Sequence, residues 1–365
     1  MKSSRNTVIY PLISAKTLMN WGRISARNFL LSPEILCMFP PLLSAMTSIR
    51  RIILTGNQTG CWRLPENHRI NSSSLSSENH HLRPDIISTG IPKKQHRKWN
   101  AFFMGDKACV TDKVHSSSPI TRDSISLSLS FYTPESEENL FRQKSVIEIA
   151  QDQGYKTYWL GAQSLVGVNG SKYGYLARRN NTVIVEENND MKLPELLKQA
   201  LAEPDEYKFI ILHLWGNHMP YTNYTETEKQ QLNDAGDYDL TIRHTDNVIG
   251  RLYDEVESVT DDYIFIYTSD HGEIVGKGHG FSKGADQFLI PFLYKSGNPS
   301  YGCEFIEKYR NQDGWISGLM NKYILSELLG YSLDQSIAEP DKQHDRILST
   351  DGYAIPFSSY FNKNK

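Results

Sequence analysis

Cysteine is scarce in this chain. There are four, Cys37, Cys61, Cys109 and Cys303, and no two form a C-x-x-C pair, so no thiolate metal site is readable. Disulfides stay open, and with them the redox compartment. Long apolar runs are also missing. A membrane-crossing helix needs ~18–20 uninterrupted apolar residues, and the nearest stretch, residues 28–46, is broken by Pro33, Glu34, Pro40 and Pro41. No transmembrane helix is read, and the N-terminus lacks the apolar core and small-residue cleavage site of a signal peptide. Acidic residues are lacking in one part only. Residues 1–100 hold 14 Lys and Arg against 4 Asp and Glu, a net charge of +10, while the rest carries −13.

The hydrophobic pattern changes where the charge does. Before about Trp99 the apolar residues follow neither a helical nor a strand period. "NSSSLSSENHH" (residues 71–81) is polar low-complexity sequence, and "KKQHRKW" (residues 93–99) is a basic run. Three readings stand for residues 1–100: a disordered basic arm for an acidic surface, a poorly patterned folded region, or a segment in another reading frame joined to a genuine domain. Residues 101–365 are read as the ordered domain. Its 39% hydrophobic and 22% charged composition, counted over the whole chain, is ordinary for a globular protein.

Within that domain helices and strands alternate. A helix is expected over residues 138–154, with Leu140, Val146, Ile147 and Ile149 inward and Gly154 as its stop. Strands are expected over 155–163, 207–215, 263–268 and 289–295. Helices are expected over 192–201 and 238–258, the latter with Ile242, Thr245, Ile249, Leu252 and Val256 on one face. Strands that are apolar on both faces and alternate with helices indicate an α/β domain, a mostly parallel sheet flanked by helices. Such sheets bind ligands beyond the carboxyl ends of their strands.

Three strand ends or loops carry polar groups. In "YTSDHGEIVGKGHG" (residues 267–280) a strand stops at Asp270-His271, and Gly272 supplies a turn. A carboxylate beside an imidazole is either a hydrogen-bonded turn or a pair of zinc ligands. "GNHMPY" (residues 216–221) places His218 in a loop, which by itself reads as a surface histidine. "HSSSPITRDSISLSLSF" (residues 115–131) is rich in hydroxyls ahead of a helix, with Thr121 at a cap position; it reads as a cap or as an activated nucleophile. Taken together, a hydroxyl at a helix start, a carboxylate–imidazole pair and two further histidines are the parts of metal-assisted phosphoryl or sulfuryl transfer.

The motifs and their order resemble the sulfatase-like part of the alkaline phosphatase superfamily, and within it the bacterial phosphoethanolamine transferases. The resemblance rests on Thr121, Gly154-Tyr155-Lys156-Thr157 with Trp159, Gly216 to Tyr221, Tyr238-Asp239 with Thr245-Asp246, Ser269 to Glu273, and His279-Gly280. It implies an alkaline phosphatase/sulfatase-like fold. It implies Thr121 as the nucleophile carrying phosphoethanolamine as an ester, chosen over Ser118 and Ser124 by the family's T-x-x-S register. Asp270 and His271, with Thr121, would hold zinc, one or two ions. His218 and His279 would hold the phosphoryl group or a second zinc, and Asp246 would be structural.

The implied donor is phosphatidylethanolamine and the acceptor a lipopolysaccharide or another glycan. No nucleic-acid partner is implied, and the location is the periplasmic face of the bacterial inner membrane. The family also has a strand ending Gly-Glu about forty residues before the nucleophile, whose Glu binds zinc. "RIILTGNQTG" (residues 51–60) has the strand and glycine, but Asn57 stands in place of the carboxylate and the spacing is longer. With the membrane domain and nucleophile-flanking cysteines also missing, the expectation is a chain whose catalytic domain lacks its proper start. Two other functions stay open: a sulfatase-like hydrolase, although "SSSPITR" lacks the spacing of a formylglycine motif, and an inactive remnant.

Overall fold

The computed structural model describes residues 51–57, 108–232 and 235–364; the low-complexity and basic runs of residues 71–99 lie outside them. Its centre is a seven-stranded sheet in the order β2-β8-β7-β1-β6-β4-β5. The strands are β1 (Arg51–Asn57), β2 (Ala108–Thr111), β4 (Lys156–Gly161), β5 (Thr182–Val185), β6 (Lys208–His213), β7 (Ile264–Ser269) and β8 (Phe292–Ser296). A short β3 (Val114–His115) pairs separately with β9 (Ile316–Ser317). The run from β7 through β1, β6 and β4 to β5 is parallel, and β8 and β2 continue it antiparallel.

Alternation along the strands builds two cores. Trp159, Phe209, Ile211, Ile264 and Ile266 face one side, and there they meet helices Thr121–Leu129, Val146–Asp152 and Asn321–Leu328. Tyr158, Leu160, Ile210, Leu212, Phe265 and Tyr267 face the other, under helices Leu193–Ala202 and Asp237–Glu257. Successive strand residues point to opposite faces, so a sheet covered on both sides must be apolar at every position, as these strands are.

Two expectations need correction. The helix expected over residues 138–154 is two helices, Glu138–Arg142 and Val146–Asp152. Ser145 starts the second with a capping box, its backbone N–H donating to Glu148 Oε2 at 2.9 Å. A satisfied N-terminus is a stable place to begin again, and apolar periodicity alone does not register it. On the long helix Ile242 is only half-buried; the inward face includes Leu240, Thr241, His244 and Val248.

The strand Arg51–Asn57 takes the middle of the sheet. Its register sets Gly56 between His213 and Thr268, and Asn57 beside Ser269. The carboxyl ends of β6, β1 and β7 therefore lie side by side, at the point where the connections leave in opposite directions. After β9 the chain adds helices Asn321–Leu328 and Gln335–Gln343. A hairpin follows, of β10 (Arg346–Leu348) and β11 (Ala354–Pro356), then the helix Phe357–Asn364. Edge strand β2 is tied to helix Cys303–Glu307 by a disulfide, Cys109–Cys303. None of the helices among the described residues is long and apolar enough to cross a membrane.

Candidate metal and phosphoryl-transfer centre

Thr121 is the first residue of its helix, not the cap. The cap position is Ile120, which is extended and offers no side-chain hydrogen bond. The Thr121 hydroxyl thus sits at the positive end of a nine-residue helix, where unpaired N–H groups and the macrodipole favour an anion. The helix is anchored through Asp123, whose carboxylate accepts from Lys172 Nζ at 2.8 Å. Its second turn is anchored to the adjacent strand end, where Ser124 Oγ donates to the Asp270 carbonyl.

Opposite Thr121, β7 ends at Ser269 and delivers Asp270 and His271. Thr121 Oγ1 lies 3.1 Å from His271 Nε2. The other ring nitrogen, Nδ1, donates to the Gly272 carbonyl at 2.8 Å, which leaves Nε2 with its lone pair toward the hydroxyl. Gly272 is required by space rather than by a left-handed turn. A Cβ there would stand 2.1 Å from the Asp286 carbonyl oxygen and 2.6 Å from that of Leu289.

Asp270 is buried, and neither carboxylate oxygen has a hydrogen-bond partner. Burial pushes its carboxyl up to about 7, against the smaller opposing pulls of Thr121 and His279. Burial also drives His271 well below the ordinary imidazole range, with the neighbouring His279 adding to it. An unpartnered carboxylate in the interior is costly. A carboxylate oxygen, a neutral imidazole nitrogen and a hydroxyl around one point are a donor set that fits a cation such as zinc.

His279 comes from the loop after β7. Its ring centroid is 4.0 Å from that of His271 and 5.5 Å from that of His218. His218 stands in the loop after β6, its Nδ1 against the Met219 carbonyl, and burial lowers its pKa. The structure thus brings Thr121, Asp270, His271, His279 and His218 together at one sheet edge. Asp246 lies apart from them, buried on the long helix and paired with Arg243 at 3.2 Å.

Sequence reasoning passed over three side chains that shape this centre. Glu273 is fully buried; Oε1 accepts from the Tyr221 hydroxyl at 2.8 Å and Oε2 from His279 Nδ1 at 2.9 Å. It holds the His279 ring with Nε2 free. Glu273, His271 and His279 offer ligand atoms within 4.8 Å of one another, a second group able to hold a metal. Asp270 suits a cation better, because both Glu273 oxygens are already bonded and neither Asp270 oxygen is. Asp190 fastens the His218 loop: its carboxylate accepts the Trp215 and Gly216 N–H groups at 2.6 and 2.8 Å. His213, at the end of β6, is buried with both ring nitrogens unpartnered, and burial pushes its pKa down to about 3. The one sequence signal for Glu273 was its place in Asp-His-Gly-Glu; Asp190 and His213 had none.

Asn57 ends β1 next to Ser269. The longer spacing from Thr121 therefore does not keep it from the strand-end position beside Asp270. What stands there is a neutral amide.

The description "Sulfatase" belongs to a protein-family model that matches residues 96–320. A putative transferase, YhbX, of Escherichia coli (strain K12) is 26% identical over 223 residues, which is 60% of this chain and 38% of that protein. The phosphoethanolamine transferase EptC of the same organism is 23% identical over 213 residues, 51% of this chain and 37% of that protein. The chain therefore spans about two fifths of the length of these relatives. Among solved structures, the C-terminal periplasmic domain of Escherichia coli EptC in complex with Zn aligns with a TM-score of 0.66 at 18% identity. That alignment covers 86% of this chain and 94% of the other.

Proposed function

This chain belongs to the sulfatase family, and from that premise we propose that its centre transfers phosphoethanolamine from phosphatidylethanolamine to a lipopolysaccharide or other glycan acceptor. The fold is the alkaline phosphatase/sulfatase-like α/β arrangement. The observation that carries the reading is Thr121: a hydroxyl on a helix N-terminus, in contact with His271 and beside the unpartnered carboxylate of Asp270.

In the proposed reaction Thr121 Oγ forms a bond to the donor phosphorus. The bond from phosphorus to the glyceryl oxygen breaks, and diacylglycerol leaves as the alcohol, with the proton that Thr121 lost. The acceptor hydroxyl then takes the phosphoryl group, and Thr121 regains a proton. Asp270, His271 and the Thr121 oxygen are the groups that would hold zinc. When bound, zinc lowers the pKa of the hydroxyl and offsets charge on the non-bridging oxygens. His218 and His279 face the same space and would hold those oxygens, the latter fixed by Glu273. The Cys109–Cys303 disulfide supports an oxidising compartment, as the periplasmic face of the inner membrane would be.

Incubation with fluorescent phosphatidylethanolamine tests the reading. Release of labelled diacylglycerol with a phosphoethanolamine mass adduct on Thr121 is expected. Release of free phosphoethanolamine with no adduct would overturn it in favour of hydrolysis. One observation favours a second reading, an inactive remnant: the amide of Asn57 stands at the strand end where a carboxylate would complete the donor set. Stoichiometric zinc on the purified chain, lost in Asp270→Ala, would argue against that.

A further inference from the structure

The loop that carries His279 continues beyond the centre. Gly280 and Gly284 take φ values of +79° and +101°, and between them Phe281, Ser282 and Lys283 are exposed, Phe281 by 44%. This loop is held in shape by Gln287. Its side chain accepts from the Phe281 N–H at 2.9 Å and donates to the Phe281 and Lys283 carbonyls at 2.8 and 3.0 Å. It also donates to the Tyr360 hydroxyl at 3.2 Å, so the loop is tied to the C-terminal helix. The loop, that helix and the turn between β10 and β11 enclose a cleft of about 310 Å³.

The chemistry at Thr121 leaves this cleft unused. Phe288 and Tyr360 form an aromatic floor, ring centroids 4.9 Å apart. Lys283 and Lys363 stand on its walls with the hydroxyls of Ser282 and Thr350, and Asp351 lies on its rim. The volume is at the lower end of the ~300–1,000 Å³ usual for small-molecule sites. Aromatic rings and hydroxyls suit the two faces and the edge of a sugar, and two ammonium groups suit a phosphate that it carries.

We propose that this cleft is the acceptor subsite of the centre and takes a phosphorylated sugar. The inference rests on the transferase reading given above and adds the acceptor class. Phe281 is two residues from His279, so a sugar seated against it has its free hydroxyls at the entrance to the Thr121 ester. Transfer then forms a bond from the sugar oxygen to phosphorus, breaks the Thr121 Oγ–phosphorus bond and returns the sugar hydroxyl proton to Thr121.

The test is titration of the full chain with glucosamine 1-phosphate, read by calorimetry, beside glucosamine and inorganic phosphate. Saturable binding of the sugar phosphate, tighter than either half alone, is expected. Loss of two charged donors should weaken it about tenfold in a Lys283→Ala/Lys363→Ala double variant. Thr121 loaded from phosphatidylethanolamine should then discharge to the sugar phosphate more slowly in that variant, so that the adduct builds up. Equal affinity for inorganic phosphate, or binding within twofold in the double variant, would overturn the subsite. Absence of any adduct in the parent protein would instead remove the transferase reading, and leaves the binding result to be judged by itself.

Discussion

Replacing Asp270 by Asn should make the metal-free protein more stable. The carboxyl has an ordinary value of 3.8 and is pushed to about 7 by burial, with neither oxygen hydrogen-bonded. The native state therefore holds this proton more tightly than the unfolded chain does. Its contribution to stability is fully present below about pH 4 and is lost as pH rises through about 7. At ~1.4 kcal/mol per unit, keeping the carboxylate ionised in the metal-free fold costs about 4 kcal/mol above neutrality. The neutral amide avoids that charge but buries its own polar atoms, at about 1–3 kcal/mol.

The expected balance for Asp270→Asn is a gain of about 1–3 kcal/mol at pH 8 in a chelator, shrinking toward zero or below near pH 4. Urea denaturation of both proteins at the two pH values measures it. Zinc should then raise the midpoint of the parent and leave that of Asp270→Asn nearly unchanged, since a ligand stabilises only the state that binds it. A variant less stable than the parent at pH 8 in chelator would refute the reasoning. It would mean that the carboxylate has a compensating partner after all.

Glu273→Ala should free the His279 ring and cut turnover by about 10–100-fold, the usual range for lost support of a site histidine. Glu273→Gln, which can still accept from Nδ1, should recover part of it; equal loss in both would remove the orienting role. Gly272→Ala places a methyl 2.1 Å from a backbone oxygen and should cost about 3 kcal/mol or more in denaturation; a loss below about 1 kcal/mol would show that residues 286–289 give way easily. Lys322 is fully buried, with its Nζ 3.1 Å from the Tyr132 carbonyl and 3.9 Å from Asp341, and burial lowers its pKa to about 8. Its stabilising contribution is present above about pH 10.5 and lost as pH falls through about 8. Lys322→Met should therefore gain about 1–3 kcal/mol at pH 7 and little at pH 10.5; stability curves of the two proteins that stay parallel across this range would contradict it.

Much of the fold was legible because its signals are local. Both-face apolar runs marked β4, β6 and β7, and the long helix showed its 3.6-residue period. The break at Ser145 was missed because a capping box competes with a continuous apolar pattern over only four residues. The site was legible in the same way: Asp270, His271 and His279 stand within one short loop, and Thr121 at one helix start. The supports of those residues were not. Glu273 bonds to Tyr221 across 52 positions, and Asp190 to Gly216 across 26; no local pattern records such pairs.

From the sequence alone follow the kinds of group available and the order in which strand ends would present them, because side-chain chemistry and hydrophobic period are properties of short segments. Tertiary structure alone decided which strand ends are neighbours. Arg51–Asn57, in a region without clear pattern, enters between β6 and β7 and sets Asn57 beside Ser269. That placement depends on hydrogen bonds between backbones more than 150 residues apart. Parallel pairing of this kind uses the same N–H and C=O groups whatever the side chains are, so the partner of a strand is left to the packing of the whole domain.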